Sequence, residues 1–209
     1  MSANIITTDS ATEVVEASAP LSAEDSLRAE GYALLGAMLR GPATQELLDL
    51  LAAIEIDHPR SAIEHAYNVL QQSASRTTPS AASQEYNSLF IGIGRGELLP
   101  FGSWYQTGFM MEKPLISLRQ DLSDMGFERQ QNTHEPEDHV AALCEVMAYL
   151  VQEGSTEQQQ RFFCSHIQGW IQRFFEDLQN ANNSNFYIAV GQLGESLMQT
   201  EINRFNQPQ

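Results

Sequence analysis

The sequence predicts an all-α protein, a helical bundle of about eight to ten helices arranged in two lobes. Two observations lead to this fold class. Apolar residues recur at helical spacing in almost every periodic stretch, and the chain contains neither a run of alternating β-branched residues nor an internal repeat. With 209 residues, 42% of them apolar, the chain is long enough for one sizeable core or for two small lobes that share one.

The first three predicted helices carry apolar faces and boundary signals. The first covers "SAEDSLRAEGYALLGAMLR", where Ser22 and Asp25 form a capping pair. The second is "TQELLDLLAAI", and the third follows Asp57 and Pro59 and runs through "SAIEHAYNVLQQ". Patterns of this kind are typical of helices that pack one face on a core. The expected apolar face of the first helix consists of Leu27, Leu34, Leu35, Met38 and Leu39.

Helical patterns also fill the rest of the chain. A fourth helix begins near Thr78 and Pro79, a capping residue followed by proline at the first helical position. After a loop rich in glycine and proline, helices are predicted around "PLISLRQDL", from the charged segment at residues 134–139 onward, and after Ser155, which caps its helix with Gln158 behind it. The segment "NSNFYIAVGQLGESLMQTEINRF" forms the last helix. Aromatic side chains at helical spacing are expected in the core at Trp170, Phe174 and Phe175.

The net charge of −16 comes from 27 acidic and 11 basic residues, and Lys113 is the only lysine. Such a field repels nucleic acid and anionic lipid and attracts basic partners, although acidity also serves solubility alone. No apolar run reaches the length of about 18 residues that a membrane helix needs, so no membrane span is predicted. The first residues lack the basic and apolar regions of a secretory signal. We therefore predict a cytoplasmic protein, with a disordered acidic tail at residues 1–22 and a helical domain at residues 23–209.

The segment "HEPEDH" at residues 134–139 opens the predicted helix whose apolar stripe runs through residues 140–151. Pro136 suits a first helical turn, and the carboxylates beside it lie at the positive end of the helix dipole. The zinc motif H-E-x-x-H places both histidines on one helical face, whereas His134 and His139 are five residues apart, so a metal site is not predicted. A charged histidine is unfavourable at this end of the dipole. We therefore expect His139 to have a role beyond helix formation.

The connection "GIGRGELLPFGSWY" at residues 92–105 combines glycines with aromatic side chains. Its G-x-G-x-G spacing differs from the dinucleotide fingerprint, it follows a helix, and it lacks the G-K-[ST] of a P-loop. Phe101, Trp104 and Tyr105 can line an apolar groove. Long loops of this composition are often functional, so this loop is a candidate binding surface.

No catalytic arrangement can be built from the residues alone. His58, His65 and His166 lie in ordinary helical patterns, without a partner at the spacing of a Ser/His/Asp or Cys/His site. Cys144 and Cys164 lie in apolar helical patterns without a C-x-x-C motif, which predicts two buried free thiols. We therefore predict a protein that is not an enzyme.

The two segments at residues 85–119 and 135–150 together resemble the TorD/DmsD/NarJ family of redox-enzyme maturation chaperones, and its TorD branch most closely. The family pattern is Y-x-x-L-F, a Gly-rich loop, P-x-x-S-x-Y and then E-P-x-D-H. Two separated motifs in the right order make this resemblance specific. The matching residues are Tyr86, Leu89, Phe90, Pro100, Ser103, Tyr105, Glu135, Pro136, Asp138 and His139.

The resemblance implies a cytoplasmic chaperone for one molybdoenzyme of anaerobic respiration. Such a chaperone binds the twin-arginine signal peptide of its client, or the client's apo form, and delays export until the cofactor is inserted. The implied client is a precursor of the DMSO reductase type, either a reductase or a formate dehydrogenase. The chaperone needs no cofactor and does not itself hold the molybdenum cofactor stably, while weak nucleotide binding stays open. Family members are monomers or domain-swapped dimers, with a hinge that corresponds here to residues 132–139.

These implications agree with elementary recognition chemistry. Carboxylates bind guanidinium groups bidentately, and a helical apolar segment suits a hydrophobic groove. We therefore expect the matching residues to form the peptide surface, with Asp138 and His139 facing a groove while Glu135 and Pro136 shape the hinge. Two other functions stay open at this point: a nucleotide-dependent switch or hydrolase that uses the Gly-rich loop, and a generic helical adaptor.

Overall fold

The computed structural model describes residues 5–7, 21–129 and 135–206. These ranges contain ten α-helices, one π-helical segment and two short strands, so the predicted all-α class is confirmed. The chain divides into two compact units, as the expected two lobes require. Unit 1 combines Met1–Gly36 with Phe101–Ile167, and unit 2 combines Ala37–Pro100 with Gln168–Gln209.

Unit 1 is built around helix α7 (Val140–Glu153), in which ten of fourteen residues are buried. A helix that is apolar on almost every side belongs in the middle of a core, and α7 packs against α8 (Thr156–His166). The apolar stripe predicted for residues 140–151 is thus confirmed. The other elements of unit 1 are β1 (Ile5–Thr7), most of α1 (Ala23–Arg40), α5 (Gly102–Thr107), α6 (Lys113–Asp124) and β2 (Phe127–Arg129).

The start of α1 shows one confirmed prediction and one correction. The hydroxyl of Ser22 accepts a hydrogen bond from the Asp25 amide at 3.0 Å and donates one to the Asp25 carboxylate at 2.8 Å, as the predicted cap requires. The buried guanidinium of Arg28 donates to Asp25 at 2.7 Å and to Gln159 at 3.1 Å. Leu27, by contrast, points away from the core and is 63% exposed. The expected place of Leu27 on the apolar face is therefore wrong.

The two strands form a short antiparallel ladder that apolar periodicity did not signal. Ile5, Ile6 and Thr7 pair with Arg129, Glu128 and Phe127, in that order. Three residues of the expected N-terminal tail therefore lie in a strand. The rest of that tail up to residue 20, and residues 130–134 of the expected hinge, lie outside the described residues.

Unit 2 is organised by its last helix, α10 (Phe186–Phe205), which packs against α9 (Ile171–Asn180) and α3 (Ala62–Ala74). Gly194 allows the close approach of α9, because a Cβ at this position would collide with the ring of Phe175. The expected core residues Trp170, Phe174 and Phe175 are all buried, which confirms that prediction. The other elements of unit 2 are α2 (Gln45–Ala52), α4 (Pro79–Tyr86) and a π-helical segment (Asn87–Ile91).

Two further predicted helix starts are confirmed by their hydrogen bonds. Thr78 accepts from the amide of Ala81 at 3.3 Å and precedes Pro79 in the first turn of α4. Ser155 and Gln158 form a reciprocal capping box at the start of α8. Local chemistry therefore sets these boundaries, which is why they could be predicted from short stretches of sequence.

The two cysteines differ in their environment. Both are free thiols, as expected, but only Cys144 is buried, whereas Cys164 lies on the exposed side of α8. The prediction of a buried thiol at position 164 is therefore wrong, although partial burial still raises the pKa of that thiol. Among the helices of the described ranges, none combines the length and the apolar character that crossing a membrane requires.

A long-range carboxylate caps α10. The Glu85 side chain, at the end of α4, accepts hydrogen bonds from the backbone amides of Asn185, Phe186 and Tyr187 at 2.7, 3.0 and 2.7 Å. The first amides of a helix have no partner within the helix, and a negative charge there also interacts favourably with the helix dipole. Glu85 thus joins two segments of unit 2 that are about a hundred residues apart in sequence.

We expect Glu85→Ala to lower the free energy of unfolding by about 1–2 kcal/mol, the usual cost of losing a helix N-cap. Chemical denaturation of the full chain, followed by circular dichroism, measures this loss. Glu55→Ala, which removes an exposed carboxylate from the same unit, is the matched control and should change stability little. Equal effects of the two substitutions would contradict a capping role for Glu85.

Candidate functional site

The residues that match the family motifs fall into two groups, one in each unit. Unit 2 holds the first part of the pattern, at Tyr86, Leu89, Phe90 and Pro100. Unit 1 holds the second part, at Ser103, Tyr105, Glu135, Pro136, Asp138 and His139.

In unit 1, Asp138 binds the beginning of α5 through its side chain and its backbone. Its Oδ2 accepts a hydrogen bond from the Ser103 amide at 2.7 Å, and its carbonyl oxygen accepts one from the Gly102 amide at 2.9 Å. The side chain is buried, and its other oxygen, Oδ1, has no hydrogen-bond partner among the described residues. The loop motif and the "EPEDH" motif are therefore locked together inside one unit, although they are 35 residues apart in sequence.

His139 is the N-cap of α7. Its Nδ1 accepts a hydrogen bond from the amide of Ala141 at 3.1 Å, so this nitrogen carries no proton in the observed arrangement. The ring also packs edge-on against Phe101, with 5.1 Å between ring centroids. The dipole argument favoured a role for His139 beyond helix formation, whereas the structure shows His139 capping α7. Because α7 begins at Val140, the expected position of Pro136 in the first helical turn is wrong.

Asp138 and His139 are only 3% and 2% exposed. This placement contradicts the expectation that both side chains face a groove. Their hydrogen bonds are made to the chain's own backbone, at the starts of α5 and α7. In the described residues, neither side chain is therefore exposed for direct contact with a partner. The binding role expected of them stays a prediction.

The neighbours of these two residues are arranged differently. Pro136 is buried, while Glu135 and Glu137 are half-buried. The Glu137 carboxylate accepts a hydrogen bond from Arg119 of α6 at 2.9 Å, with the arginine half-exposed. Glu135 and Pro136 lie directly after the part of the expected hinge that falls outside the described residues, so the hinge itself stays a prediction.

Ser103 connects the buried motif to a surface turn. Its own amide binds Asp138, while its side-chain oxygen accepts a hydrogen bond from the amide of Met111 at 3.2 Å. Ser103 is fully buried, and Tyr105, on the same helix, is half-buried. The motif serine is therefore a structural acceptor for the chain that leaves α5.

In unit 2, the matching aromatic residues form a cluster. The rings of Tyr86 and Phe90 lie 4.9 Å apart, and both pack against Tyr187, at 6.1 and 5.5 Å between centroids. Leu89 and Pro100 are buried. The hydroxyl of Tyr187 donates to the carbonyl of Met38 at 3.0 Å, and burial, with smaller effects from Tyr86 and Glu85, raises the pKa of Tyr187. This part of the motif is mainly core of unit 2.

The Gly-rich loop is closed by a carboxylate. The Glu97 side chain accepts four hydrogen bonds from the backbone and side-chain amides of Asn182 and Asn183, at 2.6 to 3.2 Å. Burial opposes ionisation of Glu97, but these bonds outweigh it and lower the pKa of the carboxyl group. Gly92 has a φ of 62°, and a Cβ there would collide with the carbonyl of Arg95. Glycine is therefore required at position 92, because the loop folds back tightly against the carbonyl of Arg95.

Sequence reasoning missed a second polar centre in unit 1. Asp121 of α6 binds Arg161 at 3.0 Å and the nearly buried His166 at 2.7 Å. The three residues are 40 and 45 positions apart, so no local spacing could have indicated them. A partly open cavity of about 170 Å³ lies beside them, lined by Asp121, Asp124, Met125, Gln158, Arg161 and Phe162.

Comparison with known proteins identifies the family. A family model described as "Nitrate reductase delta subunit" matches residues 56–176. The match covers more than half of the chain and includes both motif segments up to α9. This chain belongs to that family, which confirms the resemblance seen in the motifs.

Individual relatives carry chaperone names. The chain is 31% identical over 113 residues to a probable Tat proofreading chaperone DmsD of Haemophilus influenzae, covering 53% of this chain and 55% of the relative. It is 23% identical over 141 residues to a chaperone protein TorD of Vibrio parahaemolyticus, covering 61% and 65%. The matched regions thus span between about half and two-thirds of these relatives' lengths.

A solved structure supports the fold. A putative redox enzyme maturation protein from Archaeoglobus fulgidus aligns with a TM-score of 0.54 over 89% of this chain and 99% of that one. At 15% sequence identity, the likeness bears on the fold alone.

We expect Asp138→Ala to lower the free energy of unfolding by about 1.5–3 kcal/mol, because a buried hydrogen bond to a charged group is lost. Asp138→Asn keeps an acceptor oxygen and should lose less. Thermal melting and peptide affinity, measured on the same variants, separate a structural role from a binding role. The control is Glu30→Ala, an exposed position on α1. Unchanged melting of Asp138→Ala, with weaker peptide binding, would contradict the structural role.

Proposed function

We propose that this protein is a cytoplasmic maturation chaperone that binds the twin-arginine signal peptide, the apo form, or both, of one molybdoenzyme precursor. It assists cofactor insertion and delays export until insertion is complete. The observation that carries the proposal is family membership together with relatives named as TorD and as Tat proofreading DmsD chaperones. The role is that of a binding protein, without catalysis and without a stably held molybdenum cofactor.

The charge distribution supports a basic partner. Unit 1 contains 16 acidic and five basic residues, a net charge of −11, whereas unit 2 contains 11 acidic and six basic residues, a net charge of −5. A negative surface attracts and orients a basic segment before contact. A twin-arginine signal offers two guanidinium groups, which carboxylates bind bidentately. Unit 1 is therefore the preferred side for the arginines.

The proposed client is a molybdoenzyme precursor of the DMSO reductase type, either a reductase or a formate dehydrogenase. The nucleotide-dependent alternative finds less support in the geometry of the Gly-rich loop. Gly92 serves loop closure, the loop contains no lysine, and the carboxylate of Glu97 lies within it. Phosphate groups would meet negative charge there instead of the lysine that a P-loop provides.

We expect a signal peptide from a molybdoenzyme of the same host to bind the full chain more tightly than a version with both arginines changed to lysine. Lysine keeps the charge but loses bidentate pairing, so affinity should fall by about tenfold. Isothermal titration calorimetry measures the affinities. Raising the salt concentration should mainly slow association, which stopped-flow fluorescence follows.

A peptide with the same composition in scrambled order is the control for unspecific attraction to an acidic protein. Equal affinities for the native, lysine and scrambled peptides would remove the basis for signal recognition. Binding of the apo-enzyme lacking its signal, with no binding of any peptide, would move the proposed contact to the mature client.

A further inference from the structure

The turn between α5 and α6 and the start of α6 present large apolar side chains to solvent. Phe109, Met111 and Ile116 are 68%, 67% and 65% exposed, and we call these three residues the 109–116 patch. Exposing single apolar residues is normal, but several within one short segment of a folded chain often mark a binding surface. The patch lies in unit 1, next to the buried motif around Ser103.

Hydrogen bonds hold the backbone that carries the patch. The Ser103 hydroxyl oxygen accepts from the amide of Met111 at 3.2 Å, and the hydroxyl oxygen of Thr107 accepts from the amide of Phe109 at 3.2 Å. The Thr107 hydroxyl also contacts the carbonyl of Ser103 at 2.8 Å. Because Ser103 is fully buried, its hydrogen bond to the Met111 amide anchors the exposed turn to the interior of unit 1. The exposure of Phe109 and Met111 is therefore built into the fold.

Met111 adopts a backbone conformation that is unfavourable for its residue type. Its φ is 59°, a region that glycine and asparagine enter easily and other side chains rarely adopt. Glycine would relieve this strain but would remove the side chain. Met111 and Ile116 also hold the N′ and N4 positions of α6, whose side chains are neighbours in a hydrophobic staple. Two patch residues are thus positioned at the same end of α6.

The chemistry around the patch indicates its partner. Glu112, directly after Met111, is exposed, and unit 1 carries 11 of the 16 net negative charges. An acidic unit with an exposed Phe ring beside a flexible, polarisable Met side chain suits a segment that combines basic residues with an apolar run. The exposed Ile93 and Leu50 of unit 2 lie in a unit of much lower charge. Charge complementarity therefore favours the 109–116 patch.

We propose that the 109–116 patch binds the apolar segment of the client's signal peptide, with Ser103 as the positioning residue that holds the patch in shape. This inference rests on the proposed function, and it names the surface that the apolar part of the peptide contacts. The arginines of the same peptide then lie toward the carboxylates of unit 1.

The test uses the full chain with the double substitution Phe109→Ser and Met111→Gln. Its probes are the host twin-arginine peptide, the lysine version, and a version whose apolar leucines are changed to serine. We expect the double variant to bind the first two peptides about tenfold or more weakly, since burial of two apolar side chains is lost. The leucine-to-serine peptide should bind wild type and double variant alike.

The matched control is Leu50→Gln, which removes a 58% exposed apolar side chain from unit 2 and should leave all affinities unchanged. Circular dichroism melting checks that the double variant is folded, as expected for exposed positions. Ser103→Ala should weaken binding less than the double variant and should accelerate hydrogen exchange at the Met111 amide.

The outcomes separate this inference from the proposed function. If the double variant binds the native peptide as tightly as wild type does, the proposed role of the 109–116 patch is overturned, and signal-peptide binding by the protein stands. If the native and lysine peptides bind wild type equally but the double variant weakens both, twin-arginine selectivity fails and the patch stands. If wild type binds neither peptide, the patch and signal-peptide binding are both overturned, and the proposed function then falls as well unless the apo-enzyme binds.

Discussion

The hydrogen bonds between Asp138 and the start of α5 connect the two family motifs, and much of unit 1 depends on them. The carboxylate and the carbonyl of one residue bind the amides of Ser103 and Gly102, so the chain after the hinge region fixes the chain that leaves the Gly-rich loop. Because Asp138 is buried, its charge-assisted bond is protected from solvent and is stronger than an exposed one. Residues that look like a charged surface in the sequence thus form an internal clamp.

From this clamp, a sequence of contacts leads outward to the surface. Asp138 holds the amide of Ser103, the hydroxyl of Ser103 holds Met111, and Met111 lies in the exposed turn before α6. Substitutions in the buried motif can therefore change the surface without touching a ligand. For this reason, a loss of peptide binding in a motif variant can be interpreted only together with two other measurements. These are the free energy of unfolding and the hydrogen-exchange protection of the amides in the turn before α6.

Local features of the fold could be predicted from the sequence, and long-range ones could not. The caps at Thr78 and Ser155 and the apolar stripe of α7 depend on neighbouring residues, so short patterns contain them. Three other features depend on residues 35 to about a hundred positions away: the burial of Asp138, the cap that Glu85 provides for α10, and the polar cluster at Asp121. The motifs indicated which residues matter, but composition and spacing could not distinguish a carboxylate that faces a partner from one that caps a helix.

The long-range cap that Glu85 provides for α10 has a consequence for folding during synthesis. Unit 2 consists of two stretches of chain, and Glu85 reaches Tyr187 across 102 positions. At a synthesis rate of about 5–20 residues per second, Glu85 leaves the ribosome on the order of 5–20 seconds before the amides it caps. During that interval Tyr86 lacks the ring of Tyr187 on which it packs. The proposed chaperone of incompletely matured enzymes therefore passes through an incompletely folded state itself. In that state the residues of the first motif are made, but the helix on which they pack is not.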